Sequence, residues 1–117
     1  MQYDHILTET VLEDMGKQSV ELNAKIKKYL EILDERGHLL AGPFVDKIES
    51  YKNLWELRPH HHNIEYRMIF FWQRSTAYFI HTFVEKGQKK KNQREYKTAD
   101  RKKQVLIQFL TTQGEGK

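Results

Sequence analysis

Cysteine is absent from the 117 residues, proline occurs only at Pro43 and Pro59, and glycine only six times. Without cysteine there is no disulfide framework and no thiolate metal site, a composition that fits a reducing compartment. So few glycines and prolines, beside 38% hydrophobic residues, exclude collagen-like and disordered classes. No apolar run approaches the ~20 residues of a membrane helix, and the start, MQYDHILTETVLEDMG, lacks the cationic and apolar regions of a secretory leader. A cytoplasmic location, with no membrane partner, is the expectation. The chain also lacks a P-loop, G-x-G-x-x-G, G-x-S-x-G and H-E-x-x-H, which argues against nucleotide, hydride and serine-hydrolase chemistry. His60-His61-His62 is the one metal-like run. Consecutive turn residues do not readily aim three imidazoles at one ion, so no metal site is expected.

Positive charge, by contrast, is concentrated. Residues 86–103 hold nine Lys or Arg against two acidic residues, whereas residues 1–50 hold ten acidic and six basic side chains, within a whole-chain net charge of +4. A chain with one acidic and one basic pole orients before meeting a polyanion, and nucleic acid is the first candidate. The ordinary alternative is a solvated helix face.

Length and an aromatic-rich apolar set fit one domain over residues 1–117. Thr10-Val11-Leu12-Glu13 matches a capping box for a short helix ending near Met15 and Gly16. Leu22, Ile26, Tyr29, Leu30 and Leu33 form the stripe of a second helix, capped by Ser19 and stopped by Gly37. Its opposite face, Lys25, Lys27, Lys28, Glu31, Asp34 and Glu35, is expected in water. Phe44–Ile48 is expected as a short edge strand or extended linker. Leu54–Arg58 alternates Trp55 and Leu57 with Leu54, Glu56 and Arg58 before Pro59. Glu65–Trp72 reads as a strand covered on both faces, and Thr76–Val84 as its partner across a Gln73–Ser75 turn. Tyr96, Ala99, Lys103, Leu106 and Leu110 recur at helical spacing, and Gly114–Lys117 should fray. The expected fold is therefore α+β: an N-terminal helix hairpin packed on an antiparallel meander of three to four strands, then a C-terminal helix. The hairpin covers one sheet face, and the other, bearing arginines, is expected to lie open beside the basic run.

Attack of an RNA 2′-OH on its phosphodiester needs a base, an acid and cations for the phosphorane, and metal is optional. Arg58 and Arg67 stand on successive strands across the 59–65 turn, where two guanidiniums can converge on one phosphate. Salt bridges to Glu56 or Glu65 are the plain alternative. Lys86, Lys89, Lys90 and Lys91 follow the last strand and suit phosphate contact, as does Arg94. Tyr96 suits base stacking or weak acid work, and otherwise packs the last helix. His81 has the pKa for acid or base work, although a strand histidine is more often structural.

The segments LWELRP, YRMIFFW and FIHTFVEKGQKK, in that order and preceded by a helix ending LEILDERG, resemble the RelE/ParE toxin superfamily and, within it, the phage-derived HigB-like toxins. The resemblance covers about residues 9–110 and rests on Leu54 to Arg58, Tyr66-Arg67, His81 to Lys86, and Glu95 with Ala99. It implies a RelE-like fold and a bacterial, cytoplasmic toxin of a type II toxin-antitoxin system. The implied activity is cofactor-free and metal-independent endoribonuclease action on ribosome-bound mRNA, which inhibits translation. It also implies a cognate helix-turn-helix, HigA-like antitoxin, with operator DNA reached only through that partner. By position Arg58, Arg67 and Lys86 would bind the phosphate, with Tyr96, Lys89 and Lys90 in proton transfer or RNA binding. Three departures stand out: Glu85 in place of a usual lysine, Lys91-Asn92 in place of Thr-Pro, and an N-terminal strand reduced to at most Tyr3–Ile6. Two other readings remain open: a ParE-type toxin acting on a protein such as DNA gyrase, and a non-catalytic nucleic-acid-binding module.

Overall fold

The computed structural model describes residues 2–85, 87 and 89–112. The chain runs as strand β1 (Asp4–Leu7), helices α1 (Glu9–Met15) and α2 (Val20–Arg36), strands β2 (Val45–Lys47), β3 (Trp55–Leu57), β4 (His60–His61), β5 (Ile64–Gln73) and β6 (Thr76–Glu85), and helix α3 (Lys89–Leu110). Among the described residues the sheet has the order β1-β6-β5-β3-β2, with β4 paired to β5. The succession β2, β3, β5, β6 is antiparallel, as expected of a meander. It is extended, however, by β1, which pairs parallel to β6 with Asp4 opposite Thr76. The N-terminal strand is thus Asp4–Leu7, and the sheet is mixed rather than purely antiparallel.

Two apolar layers sandwich this sheet. On one side Val11, Leu22, Ile26, Leu30 and Leu33 from α1 and α2 pack on Leu57, Tyr66, Met68, Phe70 and Phe79. On the other, Ala99, with Tyr96, Leu106 and Ile107, packs on Leu54, Ile69, Phe71, Ile80 and Phe83. β5 feeds both layers, even-numbered residues one way and odd-numbered the other, which is why its sequence reads as a continuous apolar run. The face expected to lie open is therefore roofed by α3. Its apolar stripe cannot remain in water while the sheet offers Phe71 and Ile69 beneath it.

The helix hairpin is corrected as well: α1 packs on β6, and α2 on β1 and β4. Each lies on the sheet in its own right, because α1 is pinned there by its last turn. Asp14 Oδ2 accepts from the Tyr66 hydroxyl and, at 2.7 Å, from Thr82 Oγ1. Thr10 does not cap α1, which begins at Glu9 after Thr8. The Thr8 hydroxyl donates instead to Phe79 O at 2.8 Å, closing the β1–β6 pairing. Ser19 does cap α2, accepting from Leu22 N at 3.0 Å. Asp34, expected in water, is buried and accepts from His5 Nδ1 at 2.8 Å, since β1 crosses that face of α2. Gly37 ends α2 at φ +54, where a Cβ would also meet the Tyr3 ring, so glycine is required twice over. Fraying of Gly114–Lys117 lies outside the described residues.

Candidate nucleic-acid site

The β3–β5 register pairs Glu56 with Ile69 and Leu57 with Met68, which sets Arg58 and Arg67 at opposed positions one step further on. Odd residues of β5 face α3, so Arg67 and the even residues of β3 share the roofed layer. The sequence expectation that the two arginines lie together holds. What they meet is a carboxylate: Glu56 Oε1 stands 3.8 Å from Arg67 Nε, and Oε2 stands 3.7 Å from Arg58 Nε. Tyr96, descending from α3, donates its hydroxyl to Glu56 Oε1 at 2.9 Å and sets its ring edge-on to Phe83 at 6.0 Å.

Further carboxylates ring the pair. Arg67 reaches Glu65 at 3.2 Å and Glu85 at 3.9 Å, and Arg58 reaches Asp46 at 3.4 Å. Exposure separates the two arginines: the Arg58 side chain is 34% exposed and that of Arg67 only 6%. Arg58 is the cation a ligand meets first, while Arg67 is buried. Burial raises the Glu56 carboxyl above its ordinary range, opposed by the Tyr96 hydrogen bond and then by the two guanidiniums. Burial also lifts the Tyr96 hydroxyl well above its ordinary value, aided by Glu56, so it stays protonated and donates to that carboxylate.

His81 is turned onto the α3 side by a β-bulge. Ile69 pairs with His81 but Phe70 with Phe79, leaving Ile80 as the extra residue. Strict alternation would have put His81 on the Phe79 side, and the bulge reverses it. Its Nε2 lies 2.6 Å from Glu95 Oε1 and its Nδ1 2.9 Å from Lys102 Nζ. An ammonium only donates, so Nδ1 is the acceptor and Nε2 carries the proton. Burial, ahead of the raising effect of Glu95, lowers the His81 pKa. Ile69 stands between His81 and Glu56 in the cross-strand row, so the histidine belongs to a separate cluster and not to the arginine pair.

The basic run begins at the N-terminal end of α3. Lys90, Lys91 and Arg94 are exposed there, and Lys91 and Arg94 line a hollow of about 330 Å³ with Phe83, Val84 and Glu95. Lys89 opens the helix. Lys86 lies outside the described residues. Farther along the helix Lys103 is not a solvated cation: it is buried, donates to Lys52 O and rests 6.0 Å from the Phe71 ring centroid. Sequence reasoning treated Glu56 only as an ion-pair partner. The signal available was its place between Leu54 and Arg58 on the alternation that also carries Arg58, and the burial follows once α3 closes that face.

Fold and site together define a small α+β protein in which a basic helix roofs an arginine pair held on a buried carboxylate. The profile of the phage-derived Gp49-like protein family (DUF891) matches residues 13–104, so the chain belongs to that family, a toxin-like family related to RelE and HigB. No curated protein and no solved structure matches the chain. Among the described residues no helix is long and apolar enough to cross a membrane.

Proposed function

We propose that the chain is the toxin of a type II toxin-antitoxin system and acts as a metal-independent endoribonuclease on ribosome-bound mRNA. The observation that carries this reading is Glu56, a buried carboxylate of raised pKa held between Arg58 and Arg67 beside an exposed cationic helix end. A carboxylate with heightened proton affinity is suited to take the 2′-OH proton. The two guanidiniums are suited to the charge that grows on the phosphorane as the 5′-oxygen departs. Tyr96 orients Glu56, and Lys90, Lys91 and Arg94 hold the flanking RNA backbone. Because Arg67 is buried and Arg58 is not, the phosphate meets Arg58 first. The cognate helix-turn-helix antitoxin, and through it operator DNA, complete the proposal, as does a cytoplasmic bacterial location.

The test uses purified chain and ribosomes programmed with mRNA. Arg58→Ala, a half-exposed position, should slow single-turnover cleavage by about 2–4 kcal/mol of barrier while ribosome affinity changes far less. Equal losses in both would reduce Arg58 to a positioning role.

A second reading is favoured by one observation, the carboxylates Asp46, Glu56, Glu65 and Glu85 around the two arginines. In that reading the network is structural and the chain arrests growth through a protein target such as DNA gyrase, leaving transcripts intact.

A further inference from the structure

Tyr96, Ala99 and Leu106 turn α3 toward the sheet, but Val105 and Phe109 do not share that face. Four residues apart, they form a second apolar line roughly 100° round the helix from Ala99. Val105 is 67% and Phe109 57% exposed, so two large apolar side chains stand in water on successive turns with no part in the core. Next to them lies a hollow of about 820 Å³. Glu9 and its neighbours Thr8 and Thr10, where β1 gives way to α1, line it from one side, and α3 from Arg101 to Phe109 lines it from the other. The buried Ile80 of β6, the strand on which both helices pack, lines it too. Charge in this lining is of both signs. Glu9 on the α1 side and Arg101 on the α3 side are exposed, and neither forms an ion pair among the described residues. Lys102, by contrast, is engaged with His81 Nδ1 at 2.9 Å.

We infer that this face is an interface between two copies of the chain related by a two-fold axis, with Phe109 of each copy seated in the hollow of the other. A two-fold contact demands a self-complementary patch, in which residue i of one copy meets residue j of the other and j meets i. The patch meets that demand in shape and in charge. Its projecting apolar line adjoins an apolar hollow, so each copy offers both knob and hole. Its two unpaired charges are opposite in sign, so Glu9 of either copy can meet Arg101 of the other. A nucleic acid would find one such cation here beside a carboxylate, and a partner of a single strong charge would be repelled by one of the two. The interface also spares the cationic end of the helix. Arg94 lies about 16 Å along the helix axis from Val105, so the dimer presents two exposed sets of Lys90, Lys91 and Arg94.

Sedimentation velocity of the full chain from about 1 μM to about 1 mM provides the test, and the mass should rise with concentration from that of one chain toward two. Phe109→Asp should weaken dimerisation by about tenfold or more. Each single charge reversal, Glu9→Arg or Arg101→Glu, should also weaken it by about tenfold, because like charges then face each other at both symmetric contacts. Mixing these two variants should restore a dimer of one chain of each kind, since every such contact then joins opposite charges. A fold damaged by either substitution would not be rescued in this way. The inference is overturned if the parent chain stays monomeric throughout, if it forms a dimer that Phe109→Asp leaves unchanged, or if the mixed variants fail to associate while the parent does. It is overturned equally if dodecanoate slows amide exchange across residues 101–109 while the chain remains monomeric, which would make the hollow a site for an apolar carboxylate.

Discussion

Glu56 and Tyr96 hold each other in place between sheet and helix, and removing either group should be felt in stability before it is felt in chemistry. Tyr96→Phe deletes the 2.9 Å hydrogen bond and leaves a buried carboxylate one donor short, so urea unfolding should show a loss of about 1–3 kcal/mol. His81 offers a second test at this scale. Its folded pKa is depressed below the ordinary 6.5, chiefly by burial, so the unfolded chain binds the proton more readily. Stability should therefore be fully present above pH 6.5 and fall as the pH drops from there toward the folded pKa. His81→Gln should flatten that part of the unfolding profile, and an unchanged slope would assign it to other groups. At residue scale the sequence showed the arginine pair, because alternation and a short turn suffice to bring Arg58 and Arg67 together. It also named Glu56 and Glu65 as their ion-pair partners, but not Glu85 and Asp46, which arrive from other strands. Nor could strict alternation place His81, whose side depends on one extra residue at Ile80.

At the level of elements, α3 does two jobs with opposite faces of one amphipathic pattern. Tyr96, Ala99 and Lys103 face the sheet, and Lys90, Lys91 and Arg94 face solvent at its leading end. Reversing those three solvent charges to glutamate should weaken RNA binding and flatten its salt dependence, by about 0.7 in log-log slope for each lost phosphate contact on a single strand. A salt slope equal to the parent's would show that these side chains touch no phosphate. The helical stripe itself was legible in the sequence. Its destination was not, because periodicity reports that a face is apolar without naming the surface it covers, and the basic tail drew attention to solvent. The short α1 ends at Met15 as its sequence suggests and only its cap differs, because Thr8, just after β1, does its work through a strand partner 71 residues away.

The whole molecule is a sheet between two helical layers with its acidic N-terminal part and basic C-terminal helix apart in sequence and on opposite faces. That arrangement suits approach to a polyanion, and the Gp49-like family to which the chain belongs is a toxin-like family. The α+β class and the antiparallel succession could be read from the order of apolar segments. The parallel addition of β1 could not, since Asp4–Leu7 is too short to declare its partner. The most direct measurement of nuclease function is a transcriptome-wide map of mRNA 5′ ends after brief expression of the chain, beside Glu56→Gln expressed to the same level. New 5′ ends within translated regions, present with the parent chain and absent with Glu56→Gln, are the expected result. Growth arrest with intact transcripts, or cleavage undiminished by Glu56→Gln, would contradict it.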